Sequence, residues 1–156
     1  MSRVTLEQFH KLLPLACAWA AKQEAVILRH GERLTPDQIE DARMAGVVRP
    51  QHVRLLPVPS IPIPEHSGLQ AVVKAAGFIS PHTTGLSFRY GIFIRSDCWG
   101  DRRLVIHELA HTAQYERLGG IRPFLECHLY ECLTLGCAGA SIERAAVEMQ
   151  RRFFGG

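Results

Sequence analysis

The sequence lacks the features that mark several large classes of protein. It has no apolar run long enough to cross a membrane, no internal repeat and no low-complexity tract, and its net charge at pH 7 is only +3 over 156 residues. We therefore expect no membrane span and no signal peptide, and predict a cytoplasmic protein. A nucleic-acid partner is not expected either, because binding to the phosphate backbone calls for clustered Lys and Arg.

Cysteine is present, but not in a pattern typical of a disulfide framework. The count of five is odd, and no two cysteines form a Cys-x-x-Cys pair. Cys127, Cys132 and Cys137 are each five residues apart, which on a helix turns the side chain by about 140° at each step. The three thiols should then share neither a face nor a metal. We predict reduced, mostly buried thiols.

The composition predicts a folded domain with a real core. Hydrophobic residues make up 47% of the chain and charged residues 21%, values near the globular average. The length suits one domain, residues 1–156, with N-terminal helices and a proline-rich connection over 1–80. Apolar periodicity and capping residues predict the following helices: 5–29, 36–44, 69–76, 101–118, 122–133 and 141–152. Strands are predicted at 53–56 and 86–95, and Gly91 fits either a bend or a hairpin turn within the second. Pro14 fits either a kink or the start of a second helix.

One short motif carries chemical information. His107, Glu108 and His111 form His-Glu-x-x-His within a predicted helix. Positions i and i+4 of a helix differ by about 40° in direction, so both imidazoles can reach one zinc ion. The Glu points about 100° away from the first His and is placed to take a proton from a metal-bound water. Two ordinary buried histidines are the competing interpretation.

The surrounding sequence resembles a known family. Residues 107–115, HELAHTAQY, are similar to the active-site helix of the zincin metallopeptidases. The continuation ERLGGIRPFL over 116–125 resembles small bacterial HExxH proteins of the minimal gluzincin type, with a likeness from about 85 to 146. The resemblance implies an α+β fold, mainly helical, with a small mixed sheet beside the HExxH helix. It also implies an edge strand for substrate pairing at about 92–95.

The third protein ligand is not decided by the residues alone. Downstream candidates are Glu126, Glu131, Glu143 and Glu148. On a helical wheel, the last two flank the predicted buried face by similar angles, so the wheel does not decide between them. The family resemblance favours Glu143, since residues 140–146, ASIERAA, match a pattern ending in Glu-x-Glu-Ala. This chain departs from that pattern at Ala145, and has Cys137 where the family commonly has Tyr.

These observations lead to one leading hypothesis and one alternative. We predict a zinc-dependent hydrolase, a metallopeptidase acting on a peptide or protein, with Glu108 as catalytic base and His107, His111 and Glu143 as zinc ligands. The alternative is a zinc-binding domain without peptidase activity. Six further histidines lack a spaced partner and are predicted to be surface or loop residues: His10, His30, His52, His66, His82 and His128.

Overall fold

Six helices and a four-stranded sheet make up residues 5–154, the part of the chain that this computed structural model describes. The helices are α1 Leu6–His30, α2 Pro36–Met44, α3 Ser67–Ala75, α4 Arg102–Leu118, α5 Ile121–Leu135 and α6 Ser141–Phe154. The strands are β1 Glu32–Arg33, β2 Arg54–Val58, β3 Gly85–Phe88 and β4 Gly91–Arg95. The predicted α+β class is confirmed, while both ends of the predicted domain 1–156 lie outside the described residues.

Local side chains set the helix ends. At the start of α2, the Thr35 hydroxyl accepts from the Gln38 amide N–H, while the Gln38 side chain accepts from the Thr35 N–H, which satisfies two free donors. Asp101 caps α4 in a similar way, and Gly119 ends it at a φ of +105°, where L side chains are strained. The first helix is continuous through Pro14, so the option of a second helix starting there is not adopted.

The strand order corrects two expectations. Residues 86–95 form a hairpin, one of the two options at Gly91, but the chain turns earlier, at Arg89, whose φ is +61°. The sheet order is β1-β2-β4-β3, with β2 parallel to β4 and the other pairs antiparallel. The predicted edge strand at 92–95 is therefore wrong: β4 is central, and the edge strand beside α4 is β3.

The sheet separates two apolar clusters. Phe88 and Phe93 pack with α1, α3 and α5 on one side, whereas Ile92 and Ile94 pack with α2 and α4 on the other. The hairpin explains this arrangement, since residues opposite each other on paired strands point to the same face. Ser87, paired with Ile92, consequently faces α4. Among the described residues, no helix combines the length and hydropathy needed to cross a membrane.

The cysteine prediction is wrong at one pair. Cys132 and Cys137 form a disulfide, whereas Cys17, Cys98 and Cys127 are free. The 140° argument assumed an unbroken helix, but α5 ends at Leu135. Gly136, with a φ of +76°, then reverses the chain and returns Cys137 to the end of the helix.

A buried carboxylate fixes the hairpin turn. Glu24 of α1 is 4% exposed, and its carboxylate accepts from the Arg89 guanidinium at 2.7 and 2.8 Å and from the Tyr90 N–H at 3.0 Å. A buried carboxylate is costly unless cations and donors compensate it. The turn is thereby tied to α1, although Arg89 itself is partly exposed.

Arg89→Ala should lower the free energy of unfolding by about 2 kcal/mol, because Glu24 loses its charged donor inside the protein. Urea denaturation measures this change. Arg43→Ala is the matched control, since its pair with Glu40 is solvent-exposed and should contribute less than about 0.5 kcal/mol. Equal losses in the two variants would contradict the role assigned to the buried carboxylate.

Candidate metal centre

Three side chains predicted as zinc ligands lie together. His107 and His111 project from α4, and Glu143 approaches them from the first turn of α6. The Nε2 atom of His107 lies 2.7 Å from Glu143 Oε1, and Nε2 of His111 lies 3.2 Å from Oε2. One ligand atom from each residue falls within 4.8 Å of the others. The carboxylate thus bridges the two imidazoles at one face of α4.

The other acidic candidates lie elsewhere. Glu148 is exposed and lines a separate surface depression with Arg144 and Arg151. Glu131 instead accepts from the backbone N–H and hydroxyl of Ser141 at 3.0 and 2.6 Å. It therefore caps the start of α6, the helix that carries Glu143, and does not reach the histidines.

Gln114 supplies a contact that the sequence did not identify. Its Oε1 lies 2.8 Å from Nδ1 of His111, and its Nε2 donates to the Ile142 carbonyl at 2.9 Å. Because the amide N–H is used on Ile142, the amide oxygen must accept, and Nδ1 of His111 is the donor. In the neutral ring, that assignment leaves Nε2 of His111 unprotonated and available to a metal. The three-residue spacing from His111 on one helix was the available signal.

Glu108 lines the same cavity as the three candidate ligands. The Ser87 hydroxyl donates to its Oε1 at 2.8 Å. Its Oε2 has no hydrogen-bond partner within residues 5–154. Every fully buried side-chain oxygen there has a partner, so Oε2 keeps some accessible surface. Gly85 makes room for the carboxylate, since a Cβ at that position would lie 3.1 Å from Glu108 Cγ.

Charge and burial act against each other at this centre. Burial alone would lower the pKa of His107, but the hydrogen bond to Glu143 and the charges of Glu108 and Glu143 raise it to about 9. Burial would raise the pKa of Glu143, but hydrogen bonds from His107, and from His111 when its ring is protonated, hold it well below its usual range. Without a metal, a proton on His107 compensates the carboxylate. Two imidazole nitrogens and a carboxylate oxygen also match the donor set of a three-ligand zinc site.

The cavity at this centre has a volume of about 670 Å³, within the range of small-molecule pockets. Its lining includes His128, which the sequence predicted at the surface. That prediction is wrong: His128 is 5% exposed, and its ring centroid lies 5.9 Å from that of His111. Burial, followed by the charge of His111, lowers the pKa of His128 to about 4, so the ring is neutral at pH 7.

No protein-family model, no curated protein and no solved structure matches this chain. The resemblance to minimal gluzincins therefore stays a prediction from residues 85–146. Function is therefore inferred from the chemistry of the site itself.

In the metal-free protein, Glu143→Gln should lower the pKa of His107 from about 9, because the amide neither attracts the imidazolium nor accepts as strongly from it. Titration of the imidazole signals by NMR measures this shift. Glu148→Gln, a change on the exposed side of the same helix, should leave that pKa unchanged. An unaltered His107 titration in Glu143→Gln would contradict the described contact.

Proposed function

We propose that this chain is a zinc-dependent hydrolase that cleaves peptide bonds. The observation that carries the proposal is the convergence of His107, His111 and Glu143 within 4.8 Å, with Glu108 on the wall of the same cavity. Three protein ligands and an adjoining cavity are typical of catalytic zinc sites. Bound zinc would supply a Lewis acid that polarises the substrate carbonyl and favours deprotonation of water near neutral pH.

Glu108 is the residue placed to move a proton. Ser87 donates to one oxygen of its carboxylate, which leaves the other without a protein partner on a residue that lines the cavity. A carboxylate so oriented can take a proton from the attacking water and return it to the leaving amine. Ser87 therefore acts as a positioning residue, and Gln114 has the same role toward His111.

The edge of β3 supports a peptide as substrate. The Thr84 carbonyl accepts from the Arg95 N–H at 2.8 Å, so alternation along the antiparallel ladder turns the backbone groups of Gly85 away from β4. Gly85 lines the cavity, where an extended peptide can add to the sheet as a further strand. The pairing would end before Ser87, whose carbonyl already accepts from the Tyr115 hydroxyl.

The alternative function, a zinc-binding domain without catalysis, calls for a closed site with four protein ligands. Within residues 5–154, the group around His107 has three members, which favours the hydrolase. The chain departs from the family pattern at Ala145 and Cys137, which favours the alternative. The activity experiment below distinguishes the two functions.

The disulfide-bonded protein should bind about one zinc ion per chain. His107→Ala and Glu143→Ala should each weaken zinc binding by more than about 100-fold, because each removes a direct ligand. Competition with a chromophoric zinc chelator measures the affinity. Glu148→Ala is the matched control on α6 and should bind zinc as tightly as the wild type does. Weaker zinc binding by Glu148→Ala, with unchanged binding by Glu143→Ala, would make Glu148 the third ligand instead of Glu143.

Glu108→Gln should keep its zinc but lower kcat by a factor on the order of 10²–10⁴, since an amide cannot accept the proton. The assay uses a fluorogenic peptide selected by screening a peptide library with the zinc-loaded wild type. Glu126→Gln, an exposed change on α5, serves as the control. Normal cleavage by Glu108→Gln would exclude it as the base, and a wild type that cleaves no library member would support the non-catalytic alternative.

A further inference from the structure

A second cluster of metal-binding side chains lies at the end of α5. His128 and Cys132 are four residues apart on that helix, as His107 and His111 are on α4. Cys137 joins them from the turn that follows the helix. One ligand atom from each of the three lies within 4.8 Å of the others. Each cluster thus combines an i, i+4 pair on one helix with one donor from outside that helix.

We propose that reduction of the Cys132–Cys137 disulfide creates a second metal site, formed by one ring nitrogen of His128 and the two cysteine sulfurs. The reductant is a dithiol, which gives two electrons and two protons to the disulfide and becomes a disulfide itself. A divalent ion then binds the two sulfurs as thiolates and releases their protons. In the disulfide-bonded chain the same sulfurs are bonded to each other, so they cannot bind the ion as thiolates.

The donor chemistry favours zinc at this site. Two thiolates and an imidazole are a common zinc-binding combination that leaves a fourth position open. His128 and Cys137 line the cavity at the first centre, so an ion and its water have a route inward. Within residues 5–154, the only hydrogen-bond contact of the His128 ring is with Cys132 Sγ, at 3.9 Å. A buried imidazole with so weak a partner is available as a ligand.

The two metal sites share a cavity but no ligand. His111 and His128 have ring centroids 5.9 Å apart and belong to different donor sets. The second site does not depend on the proposed peptidase activity, because its donors are complete without His107, His111 or Glu143. The oxidised chain should hold metal at one site, and the reduced chain at two.

The test uses Co²⁺ and the His107→Ala/His111→Ala double variant, in which the first site is removed. After reduction by a dithiol and desalting under argon, the variant should bind about one Co²⁺ per chain with a thiolate-to-metal charge-transfer band in the near ultraviolet. The oxidised variant should give no band. Adding Cys137→Ser should weaken Co²⁺ binding by more than about 100-fold, beyond the loss typical of a residue that only supports a ligand.

Cys127→Ser is the matched control, since Cys127 lies on α5 outside the cluster, and it should keep the band. An unchanged band after the Cys137→Ser change would overturn the proposal. The absence of a band in the reduced His107→Ala/His111→Ala variant, with all five thiols shown to be free, would also overturn it. Should the double variant fail to fold, zinc analysis of the wild type before and after reduction decides. An increase of about one zinc per chain supports the second site, and an unchanged zinc content overturns it.

Discussion

The amide of Gln114 joins the two helices that form the candidate centre. Its oxygen accepts from His111 of α4, and its nitrogen donates to the Ile142 carbonyl of α6. Gln114 is only 6% exposed, so water cannot easily replace either partner. Since Ile142 directly precedes Glu143, the same side chain fixes both the tautomer of His111 and the position of the Glu143 carboxylate that faces it. The geometry of the site depends on this packing of α6 against α4.

Two carboxylates, of which only Glu24 is buried, connect the sheet to α4 and α1. Glu116 of α4 accepts from the Tyr90 hydroxyl at 2.8 Å and from the backbone N–H groups of Val48 and Arg49. Burial, and then this contact with Glu116, raises the pKa of Tyr90 to about 12. Together with Glu24 on α1, these bonds locate the turn between β3 and β4. The register of β3 follows from that turn, and it places Ser87 against Glu108.

Local signals in the sequence were enough to predict the helices and two of the three candidate ligands. Caps, apolar periodicity and the i, i+4 histidines involve residues only a few positions apart. The prediction of Glu143 as a ligand needed a family resemblance, because the sequence of neither helix alone predicts how α6 packs on α4. The position of the turn at Arg89 and the bond between Cys132 and Cys137 were missed because both depend on where a strand or helix ends, which periodicity defines poorly. The burial of His128 was missed because it depends on how α5 packs against α4.

The proposed function requires that His107, His111 and Glu143 bind one zinc ion and leave a position open. A crystal structure of the zinc-loaded, disulfide-bonded protein, with the metal located by anomalous scattering, measures this coordination. We expect zinc within about 2.0–2.2 Å of both Nε2 atoms and of a Glu143 oxygen, with a fourth position not filled by protein. Zinc bound elsewhere, or a fourth protein ligand closing the site, would contradict it.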